Sequence, residues 1–237
     1  MNTLRQIREE VCEANRALAA RGLAPLTWGN VSGITRSRDL VAIKPTGVAY
    51  ADLTPDHVVV VDLSGNVVES ALRPSTDTPT HLALYRAFTA IGGITHTHSP
   101  WPCIFAQARR PIPCLGTAHA DHFAGEVPVT RQLTAAEVQD GYEAATGKAI
   151  IERFATIDPV RVPAVLVAGH GPFAWGPTAA KSVENATALE AIAHMAFHTL
   201  MLDPNAALEP HILRKHHDRK HGPGAYYGQS PRSAPLT

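Results

Sequence analysis

Residues 91–99 read Ile-Gly-Gly-Ile-Thr-His-Thr-His-Ser, and the way this stretch folds decides the architecture around it. Its apolar start, small residues and β-favouring threonines predict a strand over 91–98. Successive side chains on a strand alternate faces, so His96 and His98 point the same way and Thr97 the other. Their Cβ atoms then lie about 7 Å apart, a span one metal ion bridges through imidazole bonds of about 2.0–2.1 Å. Two core histidines bonded to backbone are the alternative. A His-x-His pair at the C-terminal end of a strand, followed by Ser99 and Pro100, favours metal binding.

Working outward, Pro79 suits the first turn of a helix, and Leu82, Leu84, Tyr85 and Phe88 continue that helix to about residue 89. Upstream, β-rich runs at 26–34, 40–43, 57–63 and 66–68 predict strands, with Ser64-Gly65-Asn66 as a hairpin-type turn between the last two. Residues 3–21 carry Leu4, Ile7, Val11, Ala14 and Leu18 at helical spacing and stop at Gly22. Downstream, a helix is expected near 100–109, and residues 110–131, rich in Pro, Gly and His, read as loops with short strands. Thr134 and Glu137 form a capping box for a helix over 134–155. Val165-Leu166-Val167 reads as a short buried strand and 178–202 as a helix with an alanine-rich face. The last thirty residues are charged and His-rich. Strands and helices interleave without repeat, linker or composition break. One α/β domain over 1–229 is expected, with a frayed tail at 230–237.

Bulk properties exclude several classes. The 237 residues are 45% hydrophobic and 18% charged, with 21 basic against 21 acidic side chains. No basic field points to nucleic acid or an anionic membrane. No 18-residue apolar run exists to span a bilayer, and the polar, periodic N-terminus lacks the core of a signal peptide. Cys12, Cys103 and Cys114 are scattered and odd in number, as expected of reduced thiols in a cytoplasmic protein. The 13 histidines stand out, and some must have a role beyond filling space.

A metal site needs further ligands. His170 lies in Ala168-Gly169-His170-Gly171-Pro172, a glycine-flanked turn that projects one imidazole from the end of the 165–167 strand. Asp77 precedes Pro79 at a helix start, where a carboxylate is cap, ligand or base. His194 and His198 have i, i+4 spacing but lack the Glu of HExxH, so they read as a helix face. His216 and His217 are adjacent and diverge, so at most one enters any given site. Gly29-Asn30, Lys44-Pro45-Thr46-Gly47 and Ser75-Thr76 each set small donors beside glycine or a helix start. Taken with a metal site, they suggest a phosphorylated or polyhydroxylated ligand.

These segments carry a family likeness. TWGNVSG (27–33), IKPTGV (43–48), DTPTH (77–81), IGGITHTHS (91–99), GTAHAD (116–121), GHGPFAWG (169–176) and RKHGPGAYYGQ (219–229) lie in order along the chain. With them the chain resembles the class II aldolase and pentulose-phosphate epimerase superfamily, on its epimerase side. The resemblance implies a central, mainly antiparallel or mixed sheet between helix layers. It implies a cytoplasmic homotetramer with sites at subunit interfaces and one divalent metal per subunit, Zn2+ first, with Mn2+ or Co2+ able to substitute. His96, His98 and His170 correspond to the zinc histidines, and Asp77 to a further ligand where related aldolases carry a Glu base. Asp121 and Tyr227 match the acid/base pair. Gly29, Asn30, Thr46, Gly47, Ser75 and Thr76 match substrate and phosphate contacts, and Lys44 and His216 match supporting positions. Thr46 and Thr76 stand where serine is expected, and His122 replaces an aromatic residue.

The implied activity is 4-epimerisation of L-ribulose 5-phosphate to D-xylulose 5-phosphate in L-arabinose catabolism. The C4 hydrogen is not acidic, so cleavage and re-formation of the C3–C4 bond is the expected route, with the metal as Lewis acid. An L-xylulose-5-phosphate epimerase or a sugar-phosphate aldolase is the alternative within enzymes. A non-catalytic module like the adducin head is the alternative outside them, and the intact histidine set argues against it.

Overall fold

Gly93–His96 forms β5, shorter than the expected 91–98 because both ladders that hold it end at His96. In the computed structural model, which describes residues 4–37 and 39–227, β5 lies between β1 (Asn30–Thr35) and β7 (Pro172–Gly176). Asn30 faces His96 across one ladder, and Phe173 faces it across the other. With β2 (Leu40–Ile43), β3 (Val59–Asp62), β4 (Val67–Glu69) and β6 (Ala164–Leu166) these strands make one seven-stranded sheet, ordered β4-β3-β2-β1-β5-β7-β6. Every paired neighbour is antiparallel, which settles the choice between an antiparallel and a mixed sheet.

Helices cover both faces, and the alternation along β1 assigns them. A Cβ on Gly33 would touch side chains of Val11 and Ile7 in α1 (Leu4–Ala20) and of Ala179 at the start of α6 (Ala179–Leu202). Ser32, pointing the other way, bonds through Oγ to His81 Nδ1 (2.7 Å) and Tyr85 OH (2.8 Å) of α2 (Thr78–Ala87). Behind α2 packs α5 (Ala135–Arg153), started by the Thr134–Glu137 capping box. Against α6 packs α3 (Pro100–Ala108). The core is one continuous cluster through the sheet, with Trp175, Phe173, Ile94 and Leu18 fully buried.

Several boundaries differ from the sequence expectation for local reasons. The 26–34 run becomes strand only at Asn30, because Leu26 and Gly29 sit at φ 56° and 79°. Residues 110–131 contain isolated bridges, Ile112 with Val127 and Val129 with Leu166, and the short helix α4 (Thr117–Ala120). The turn expected over 168–172 gives way at Pro172 to β7, to which the sequence assigns no element and which is buried along its whole length. The charged C-terminal region contains a further helix, α7 (Pro210–His221), whose only buried residue is His217. The expected tail at 230–237 lies outside the described residues.

One buried amide ties the first helix to the sheet. Pairing of β1 with β2 stops at Ser32, and the fully buried Asn15 side chain takes over at Val31. Its Nδ2 donates to Val31 O (3.0 Å), and its Oδ1 accepts from Val31 N (2.9 Å). Asn15→Leu would strand both backbone groups, at about 1–3 kcal/mol each. The expected outcome is a drop in the urea midpoint equivalent to roughly 2–4 kcal/mol with an unchanged m-value.

Candidate metal centre and substrate site

His96 leaves the end of β5, His98 follows two residues later, and His170 sits in the turn between β6 and β7. The β5–β7 pairing therefore sets the turn imidazole beside the strand imidazole. His98 Nε2 lies 3.1 Å from His96 Nε2 and 3.1 Å from His170 Nε2. The three ligating nitrogens fall within 4.8 Å of one another. Nitrogens bound at 2.0–2.1 Å to one tetrahedral ion lie about 3.3 Å apart, so this spacing suits a shared cation.

The protonation pattern agrees. His96 Nδ1 is 2.9 Å from Pro172 O, and a carbonyl only accepts, so Nδ1 carries the hydrogen and Nε2 presents its lone pair to the centre. Phe173 stacks on the His96 ring at 4.2 Å and closes its other face. Burial, then the neighbouring imidazoles, pushes His170 down to about 4 and holds His98 below its usual value. Both are neutral at pH 7 and free to ligate.

Asp77 stands next to this group but is not a member of the cluster that closes within 4.8 Å. It occupies the N-cap of α2 yet makes no side-chain capping bond. Its Oδ2 accepts from Asn30 Nδ2 (2.7 Å) instead. Burial raises its pKa, but the fields of His96 and His81 and the Asn30 bond outweigh that and leave it lowered. It is a carboxylate aimed at the imidazoles.

Asn30 also donates to Ser75 Oγ (3.0 Å), joining this centre to the hydroxyl-rich loops. Ser75 N bonds Lys44 O (3.0 Å) and Thr46 N bonds Arg73 O (3.1 Å), which brings Thr46-Gly47 alongside Ser75-Thr76. Thr46, Gly47 and Thr76 are exposed, whereas Lys44 is 2% exposed. Its Nζ meets Pro45 O (3.3 Å) and the Tyr50 ring (4.8 Å), and burial lowers its pKa. Among the described residues it has no carboxylate partner, so an anionic group at these loops would supply one. Gly29 has a packing role: a Cβ there would lie 2.6 Å from His96 O.

Asp121, His216 and Tyr227 form a second group. Asp121 follows α4, and Arg219 grips its carboxylate from α7 through Nη2–Oδ2 (2.6 Å) and Nε–Oδ1 (3.0 Å). His216 Nδ1 donates to Oδ1 (3.2 Å). Burial pushes Asp121 up, but these partners prevail and keep its carboxyl below the usual range. Tyr227 lies over Arg219, 4.4 Å from guanidinium carbon to ring centre, and its backbone N–H bonds Arg219 O (3.0 Å). Among the described residues, no hydrogen bond, ion pair or ring contact joins this group to the imidazoles within one chain.

Sequence reasoning missed three side chains that complete these groups. Tyr142 OH meets His170 Nδ1 at 3.2 Å. It is placed by a break in α5 at Gly141 (φ 149°, ψ 88°), and a glycine within a helical pattern was the signal available for it. His81, fully buried, spans Ser32 and the field of Asp77 and is pushed down to about 3 by burial. Arg219 looked like one more surface charge until α7 set it against Asp121.

Comparisons with known proteins place the chain by sequence and by fold. The sequence pattern of the Class II Aldolase and Adducin N-terminal domain family matches residues 9–197. An L-ribulose-5-phosphate 4-epimerase, UlaF, of Salmonella paratyphi A is 48% identical over 227 residues, covering 95% of this chain and all of the relative. The protein of the same name from Salmonella typhi matches to the same extent. Among solved structures, an L-fuculose 1-phosphate aldolase superposes with a TM-score of 0.77 at 24% identity, over 90% of this chain and 95% of its own. YgbL of Klebsiella pneumoniae gives 0.72 at 26% identity, over 91% and 99%.

Two outcomes are expected from the site. Tyr142→Phe removes only the hydroxyl at His170 and should weaken divalent-metal binding by about tenfold or more in a chelator competition, with an unchanged circular dichroism spectrum. The Asp121 carboxyl is lowered below 3.8, so its ion pair stabilises the fold above that value and is lost as pH falls through the folded one. The gap in urea midpoint between the parent and Asp121→Asn should therefore be open at pH 7 and shrink at pH values near 3.

Proposed function

The chain belongs to the class II aldolase and adducin N-terminal domain family, and from that membership we propose that it is a metal-dependent epimerase interconverting L-ribulose 5-phosphate and D-xylulose 5-phosphate. The observation that carries this reading is the convergence of three imidazole nitrogens, with Asp77 nearby, beside hydroxyl-rich loops that bury a lysine without a carboxylate partner among the described residues. Similarity to named 4-epimerases over 95% of the chain supports the substrate.

His96, His98 and His170, with Asp77, would hold one divalent cation, and the nitrogen-rich set suits Zn2+ first, with Mn2+ and Co2+ as substitutes. When bound, the ion supplies Lewis acidity to the C2 and C3 oxygens of the ketose. The phosphate sits on Thr46, Gly47, Ser75 and Thr76, with Lys44 beneath them, and Asn30 aligns the sugar between this cradle and Asp77. Anchoring the phosphate keeps the short aldehyde from escaping after cleavage.

The C4 hydrogen is not acidic, so inversion proceeds through the C3–C4 bond. A base removes the O4 proton, and the C3–C4 electron pair remains on C3. This leaves the enediolate of dihydroxyacetone and glycolaldehyde phosphate. The aldehyde turns over, C3 re-forms the bond on its other face, and an acid returns a proton to O4. Inversion requires one proton-transfer group on each face, the roles assigned to Asp121 and Tyr227. Arg219 and His216 keep Asp121 ionised and oriented for the base role. Within one chain these residues form a separate group from the imidazoles, which favours an oligomer whose neighbouring subunit completes each site; the family resemblance makes that oligomer a homotetramer and its location the cytoplasm. A place in L-arabinose catabolism follows from this substrate pair.

The test is incubation of purified protein with L-ribulose 5-phosphate. The expected product is D-xylulose 5-phosphate without free dihydroxyacetone. Accumulation of dihydroxyacetone and glycolaldehyde phosphate would instead identify an aldolase. Chelation should abolish turnover, and Zn2+, Co2+ or Mn2+ should restore it. Tyr227→Phe and Asp121→Asn should each slow kcat by about 10²–10⁴-fold.

A further inference from the structure

A cavity lies at the opposite end of β5 and β7 from the imidazoles. It opens where Gly93 faces Gly176, three ladder positions from the His96–Phe173 pair, or about 10 Å along the strand. Its volume is about 290 Å³, at the small end of the roughly 300–1,000 Å³ range of ligand pockets. The walls are apolar, from Ile91, Val160, Pro163 and Trp175. The polar lining is supplied by His122, His217, His221 and Lys181, together with the Asn185 amide, and includes no carboxylate.

One of these groups is buried without a partner. His217 is 5% exposed, and its Nδ1 makes no hydrogen bond, Asp218 Oδ1 being 3.6 Å away. That nitrogen is closed off from solvent beside the Asp218 carboxylate, and the cavity meets the rest of the His217 side chain. His221 lies tilted beside it, ring centres 4.8 Å apart, and spends its Nε2 hydrogen on Asp121 O (2.9 Å), which leaves Nδ1 of the neutral ring an acceptor. Lys181 lines the cavity and pairs through Nζ with Glu184 Oε2 (2.7 Å), a carboxylate that a bound anion would have to share it with.

We propose that this cavity is a binding site for a small organic anion, with a carboxylate or phosphate headgroup on His217, His122 and Lys181 and a flat apolar body against Ile91, Val160 and Trp175. Burial is the main cause that pushes His122 down to about 4, and Lys220 and Lys181 add a positive field that the Asp121 charge opposes. A cation is a poor occupant, since Lys181 lines the cavity and these imidazoles do not close into a ligand cluster. The site does not depend on the reaction assigned to the imidazole centre. It adjoins the Asp121 group through His122, the next residue, through the His221–Asp121 bond and through α7, which presents His217 and His221 to the cavity and His216 and Arg219 to Asp121.

The test uses the full chain with benzoate, phenyl phosphate and inorganic phosphate, read by thermal shift and calorimetry. Benzoate or phenyl phosphate should raise Tm in a dose-dependent way, and the stronger of the two identifies the headgroup. His217→Phe should weaken binding by about tenfold, the loss expected for one charge-assisted hydrogen bond. Val160→Trp fills the cavity from a position 61% exposed, so it spares the fold and should also abolish binding. Thr46→Val should leave it unchanged. No shift with any of the three anions would overturn the proposal. So would full binding by Val160→Trp, or a loss in Thr46→Val without one in Val160→Trp, which would place the ligand at the hydroxyl-rich loops.

Discussion

The bond from His96 Nδ1 to Pro172 O is the contact on which the rest of the centre depends. It is made where β5 and β7 run side by side, so one piece of sheet pairing sets three things at once. It fixes the His96 tautomer, orients the Nε2 lone pair and brings the turn carrying His170 to the strand that leads to His98. Residues more than seventy positions apart become neighbours through backbone hydrogen bonds between rigid strands, which hold an imidazole more closely than a loop alone would.

The polar groups of the site gather at the ends of the central strands β1 and β5 and are tied back to the interior of the sheet. Asn30 is the link, bonded to Ser75 on one side and Asp77 on the other while its own backbone lies beside His96. Asp77 forgoes the capping bond its position offers, which costs α2 a favourable contact and leaves a carboxylate facing the imidazoles. The buried Lys44, with only a carbonyl and an aromatic face for company, shows the same trade of local stability for readiness to meet an anion.

Helix α7 distributes its side chains to two places. Arg219 and His216 keep Asp121 ionised, and His217 and His221 turn toward a separate cavity. Adjacent residues on a helix diverge by about 100°, so one short segment serves both without either pair competing for space.

The sequence by itself determined the elements whose signals are local. The helix from Leu4, the Thr134–Glu137 cap, the short strands around β2 and the long alanine-rich helix follow from periodicity and capping chemistry, which depend on neighbours within a few residues. The side chains of the imidazole centre were also legible, because His-x-His at a strand end and a glycine-flanked histidine are unusual on their own. Only the tertiary structure decided what depends on distant partners. Pro172–Gly176 is too short to declare itself until β5 and β6 supply ladders on both sides, and Pro210–His221 lacks the apolar stripe that marks a helix. The same holds for Tyr142 at His170 and Arg219 at Asp121. A hydroxyl or guanidinium acquires its role from the group it meets across space, and no local pattern records that meeting.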